Sequence, residues 1–121
     1  MIKKILIIED DVILFQVYKE MFKPDSFIVI NAQTASQGLA LIQSERPDII
    51  ILDIMLPGGT NGFDILEKIE RNPVTKKIPV IILTNLDSEE KVATSIGAKK
   101  YLVKANSTRD QIVNAVKECL R

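Results

Sequence analysis

Five short, β-branched apolar runs alternating with five segments of helical period predict an α/β protein, a doubly wound parallel sheet with helices on both faces. Three observations carry that prediction. Several of the runs lack polar alternation, as strands covered on both sides do. The segments between them repeat apolar residues at the helical spacing. Strand precedes helix throughout, and right-handed crossovers then give an open parallel sheet.

The strands are predicted at Ile5–Ile8, Phe27–Ile30, Ile49–Leu52, Val80–Leu83 and Tyr101–Val103. The first helix is read from Leu14, Val17, Tyr18 and Met21, and the second from Ala35, Leu39 and Ile42. Phe63, Leu66 and Ile69 mark the third, Val92 and Ile96 the fourth, and Ile112, Val113, Val116 and Leu120 the fifth. Pro47 and Pro73 follow helical stretches, Gly97 stands where a helix ends, and Thr108 with Gln111 forms a capping box ahead of the last helix. Five strands favour the flavodoxin-like order 2-1-3-4-5, in which ligands bind at the carboxyl ends of the strands.

The 121 residues suit one domain, 1–121, with one core system. Lys plus Arg and Asp plus Glu each number 16, so the net charge is +0. That balance argues against direct nucleic-acid binding. Cys119 is the only cysteine and histidine is absent, which excludes an internal disulfide, a thiolate or histidine zinc site, a histidine triad and a phosphohistidine carried by this chain. No apolar stretch approaches a membrane span and no signal segment opens the chain, so a cytoplasmic location is expected.

The residues just after the predicted strands hold the chemistry. The first strand runs into Glu9-Asp10-Asp11, the third into Asp53, the fourth into Thr84 and the fifth into Lys104. In the expected order these strands are neighbours, so the side chains should converge. Carboxylates gathered there repel one another unless a cation intervenes, and oxygen-only ligands suit a hard cation, Mg²⁺ foremost. An ionised Asp53 beside a metal, a lysine and a hydroxyl is equipped to attack phosphorus without a general base. Lys104 would neutralise phosphoryl oxygens and Thr84 would donate to one of them. Each residue alone has a plainer reading: Asp11 as a helix N-cap, Thr84 as a strand terminus, Lys104 as a solvated lysine, Tyr101 as sheet filler. Their joint placement on adjacent strand ends favours a site.

Over nearly its whole length the chain resembles the receiver domain of response regulators in two-component and phosphorelay signalling, of the single-receiver chemotaxis type. The matching stretches are Lys4 to Asp11, Leu52 to Pro57, Asn61 to Phe63, Ile78 to Thr84 and Gly97 to Lys104. The resemblance implies a phosphoryl group accepted on Asp53 from a sensor histidine kinase or histidine phosphotransfer protein. It implies Mg²⁺ on Asp10, Asp53 and the backbone carbonyl of Met55, with Glu9 assisting through water. Lys104 would pair with the phosphoryl group, Thr84 would move to bond it, and Tyr101 would swing inward behind Thr84. That coupling would alter the face of the fourth helix, fifth strand and fifth helix, where an effector protein or a second copy docks. On this reading the protein turns over no external metabolite, and no output segment is expected after Arg121.

Two stretches depart from the family's pattern. The loop Pro57-Gly58-Gly59-Thr60-Asn61-Gly62 is one residue longer, and Lys104 is followed by Ala105 where proline with a cis bond is usual. Either a trans bond with a shifted loop or a cis bond held by its surroundings is expected there. Asn85 and Leu86 hold positions expected to tune the lifetime of the phosphoryl group. A phosphorylation-independent binding module is the alternative. A haloacid-dehalogenase-type phosphatase would carry a second Asp where Met55 stands, and a flavodoxin would want a hydroxyl-rich phosphate loop in place of Glu9-Asp10-Asp11.

Overall fold

The computed structural model describes residues 2–121. Five strands, β1 (Lys4–Ile8), β2 (Ile28–Ala32), β3 (Ile49–Leu52), β4 (Val80–Thr84) and β5 (Lys100–Val103), alternate with helices α1 (Val12–Met21), α2 (Ala35–Glu45), α3 (Gly62–Arg71), α4 (Glu90–Ile96) and α5 (Arg109–Cys119). The strands form one parallel sheet in the order β2-β1-β3-β4-β5, as the sequence predicts.

Side-chain alternation along the strands sorts the core into two layers. Leu6, Ile8, Ile50, Leu52, Val80 and Ile82 face α2, α3 and α4, meeting Ile42, Ile65, Leu66, Ile69 and Ala93. Ile5, Ile7, Ile49, Ile51, Ile81 and Leu83 face α1 and α5, meeting Phe15, Tyr18, Ile112 and Val116. Each fully buried Ile or Leu in these rows contributes roughly 1.5–3 kcal/mol over an exposed one. Both faces are covered, which is why the strands read as unbroken apolar runs.

Helix ends follow local chemistry. Asp11 caps α1 by accepting from the Leu14 N–H at 3.0 Å, Asn61 and Asp64 cap α3 reciprocally, and Thr108 and Gln111 do the same for α5. Arg46, in the left-handed region with φ 48°, ends α2 just before Pro47.

Three sequence expectations need correction. Phe27 lies outside β2, which starts at Ile28; it packs edge-on against Phe22, with ring centroids 5.7 Å apart. Val17 is 52% exposed, because the bulkier Phe15, Tyr18 and Met21 take the sheet-facing arc of α1. Val92 is 45% exposed, because α4 packs through the small Ala93.

Gly58 and Gly59 both adopt positive φ, 88° and 79°, and carry the longer loop between β3 and α3 outward. At Gly62 the need is space: a Cβ there would stand 2.4 Å from the Asp53 carbonyl oxygen and 2.7 Å from the Ile54 Cα. The first turn of α3 therefore seats directly on the backbone that carries Asp53. Gly62→Ala is expected to destabilise the fold by about 1–3 kcal/mol, the usual cost of overpacking; equilibrium denaturation of the two proteins checks it.

Candidate functional site

The register of the sheet builds the site. Ile8 pairs with Leu52, so Glu9 and Asp53 leave adjacent strands side by side. Glu9 continues the row of Ile5 and Ile7, Asp53 that of Ile49 and Ile51, and Lys104 that of Leu102. The backbone holds both acids in place: the Glu9 N–H donates to the Ala32 carbonyl at 2.9 Å and the Asp53 N–H to the Ile8 carbonyl at 3.2 Å.

Lys104 joins them. Its ammonium donates to Glu9 Oε1 at 2.5 Å and to Asp53 Oδ2 at 2.6 Å. The other oxygens are also engaged: Glu9 Oε2 accepts from the Asp11 N–H at 3.1 Å, and Asp53 Oδ1 from the Met55 N–H at 3.0 Å. Glu9 is 2% and Asp53 6% exposed. Asp10, by contrast, is exposed, and Glu9, Asp10 and Asp53 each bring a carboxylate oxygen within 4.8 Å of the others. Three converging oxygens with no nitrogen or sulfur ligand fit a hard divalent cation.

Burial is the main influence on Glu9 and raises its carboxyl pKa; the Lys104 ammonium and the Asp11 N–H pull the other way, and Asp53 adds to the rise. For Lys104, burial alone would lower the amine, but the hydrogen bonds and charges of Asp53 and Glu9 outweigh it and hold its pKa above the ordinary value. The ammonium is thus a permanent cation at neutral pH. On α1, burial pushes the Tyr18 phenol up to about 12.

Thr84 and Tyr101 lie on the other side of the sheet. Thr84 continues the row of Val80 and Ile82, and Tyr101 stands opposite Ile82 in register. Thr84 is fully buried and its hydroxyl accepts from the Leu86 N–H at 3.4 Å. The half-buried Tyr101 donates its hydroxyl to the Leu86 carbonyl. Both residues therefore meet at Leu86, in the loop entering α4. The structure brings Glu9, Asp10, Asp53 and Lys104 together, while among the described residues no hydrogen bond links Thr84 to Asp53. Met55 contributes its N–H and is 56% exposed.

The Lys104-Ala105 bond is trans, and Lys104–Asn106 forms a short 3₁₀ turn. Two contacts escaped the sequence reading. The Asn31 carboxamide donates to the carbonyls of Ile7, Glu9 and Ala32 at 3.0–3.2 Å, stitching β2 to the end of β1. The Asn85 carboxamide accepts from the Ala105 N–H at 3.1 Å. An Asn inside a strand and an N–H where the family places proline were the available signals.

The family model for the response regulator receiver domain matches residues 5–117. The protein PilH of Pseudomonas aeruginosa is 34% identical over 117 residues, covering 93% of this chain and 96% of PilH. The phosphate regulon transcriptional regulatory protein PhoB of the same organism is 31% identical over 98% of this chain, which spans 52% of PhoB. Among solved structures, a response regulator from Chloroflexus aurantiacus superposes with a TM-score of 0.90 at 28% identity, covering 99% of this chain and 98% of that one. A CheY-like receiver domain from Methanospirillum hungatei gives 0.89 at 30% identity over 99% and 94%.

Glu9 also sets a pH dependence. Because its pKa is raised in the fold, the folded chain holds that proton more tightly than the unfolded chain. Stability contributed by Glu9 is therefore present at low pH and lost as pH rises through the folded value. Glu9→Gln, which keeps an oxygen for the Asp11 N–H, is expected to unfold at a higher denaturant concentration than wild type at pH 7, with the gap closing toward pH 4. A midpoint at pH 7 below that of wild type would contradict this.

Proposed function

The chain belongs to the response regulator receiver domain family, and we propose that it works as a phosphorylation-dependent switch with Asp53 as phosphoacceptor. The donor is the phosphohistidine of a sensor histidine kinase or histidine phosphotransfer protein. The observation that carries this reading is the Lys104 ammonium, hydrogen-bonded to a buried Asp53 at the end of a central strand.

Asp53 is the nucleophile. As a carboxylate oxygen forms its bond to phosphorus, the P–N bond of the donor breaks, the electron pair stays on the imidazole nitrogen, and solvent protonates that nitrogen. Lys104, already between Asp53 and Glu9, neutralises charge on the phosphoryl oxygens. The Thr84 hydroxyl supplies a further hydrogen bond once the Leu86 loop shifts. Asp10, Asp53 and the Met55 carbonyl, with Glu9 assisting through water, would hold Mg²⁺, whose positive charge would make the crowded acids and the incoming phosphoryl group compatible.

The signal leaves through Leu86. Thr84 and Tyr101 both bond its backbone, so a shift of Thr84 toward the phosphoryl group changes what Tyr101 holds. The face of α4, β5 and α5 then favours an effector protein or a second copy. The chain modifies only itself, catalysing its own phosphorylation and dephosphorylation. Met55 stands where a phosphatase of the dehalogenase type would need its second acid. No helix among the described residues is long and apolar enough to cross a membrane.

Acetyl phosphate with Mg²⁺ is expected to add one phosphoryl group to the wild type, read by intact mass, and none to Asp53→Asn or to wild type in excess chelator. Lys104→Met should slow the addition by about 10²-fold, the effect of removing one preorganised electrostatic partner. Addition to Asp53→Asn would remove Asp53 from its role. A folded wild type that takes up nothing from any donor would leave the binding-module reading.

A further inference from the structure

We propose that Asn85 is a positioning residue for phosphoryl transfer: its side-chain oxygen holds the Ala105 N–H and thereby ties the turn bearing Lys104 to the strand end bearing Thr84. This rests on the reading of Asp53 as phosphoacceptor.

The bond sits where it matters. Asn85 follows Thr84 directly and Ala105 follows Lys104 directly, so one 3.1 Å contact joins residues 20 apart in sequence, each a single peptide from a group that meets the phosphoryl oxygens. Backbone pairing of β4 with β5 ends at Thr84 and Val103. The Asn85 side chain extends that pairing past the edge of the regular ladder.

The donor is available for a local reason. Ala105 lies inside the 3₁₀ turn Lys104–Asn106, whose first N–H groups have no acceptor within the turn. A proline at that position would have no N–H to offer. The far side of the turn is closed as well, by the Ser107 hydroxyl donating to the Val103 carbonyl at 2.7 Å. Fixed at both ends, the backbone of Lys104 has little freedom left, and its long side chain starts from a defined point. The ammonium then reaches Asp53 without a search, which is the entropic advantage of preorganisation.

The test uses acetyl phosphate and Mg²⁺ with saturation kinetics, denaturation, and exchange of the Ala105 amide followed by NMR. Asn85→Ala is expected to lower the maximal phosphorylation rate about two- to tenfold, the span that one exposed hydrogen bond commands, with half-saturating acetyl phosphate unchanged and the Ala105 amide exchanging faster. Asn85→Asp, which retains an acceptor oxygen, should keep the amide protected. In an Ala105→Pro background, shown folded by its denaturation midpoint, Asn85→Ala should change the rate no further. An unchanged rate in Asn85→Ala, or an equal loss with and without the Ala105 N–H, overturns the proposal. If the wild type accepts no phosphoryl group, the function assigned to Asp53 fails instead; Ala105 exchange and the Lys104 Nζ resonance then decide the tether, which is overturned if Asn85→Ala leaves both unchanged.

Discussion

Adjacent parallel strands that both end in acid face an electrostatic conflict, and the Lys104 ammonium between Glu9 and Asp53 resolves it. Two like charges about 4 Å apart repel by about 4 kcal/mol at an effective dielectric of 20, a large share of a small domain's stability. The register of β1 with β3 leaves no way to separate the acids, because Ile8 and Leu52 are partners in the ladder. The apolar rows on either side keep water from screening them. The ammonium, the backbone N–H groups of Asp11 and Met55, and the alignment of β5 beside β4 therefore form one arrangement.

The strand period divides this arrangement between the two faces of the sheet. Glu9, Asp53 and Lys104 extend rows that pack on α1 and α5, whereas Thr84 and Tyr101 extend rows that pack on the α4 side. The two sets thus occupy opposite sides, with β4 and its following loop between them. Leu86 is the junction, since its N–H reaches Thr84 and its carbonyl receives Tyr101.

Much of this was legible in the chain. Strands buried on both faces have to read as β-branched runs, and the polar residues after them have to converge once the strand order is known. The capping box at Thr108 and the cap at Asp11 follow from side-chain chemistry within three residues. What was not legible depends on comparing neighbours in space. Val17 fits a helical stripe as well as Phe15 does, and only the packing beneath the sheet chooses between them. Ala93 marks a close helix contact that a search for large apolar residues passes over. Asn31 and Asn85 bond partners that are remote in sequence, so those contacts appear only with the fold.

Lys104 lies 95 residues from Glu9 and 51 from Asp53. A chain leaving the ribosome makes both acids long before it makes the cation that reconciles them. The β1–β3 pairing can close early, but its carboxyl end stays electrostatically unsatisfied until β5 docks. The segment that follows β5 thus fastens the fold and supplies the cation in the same step, so the two acids are paired only once the last strand is in place.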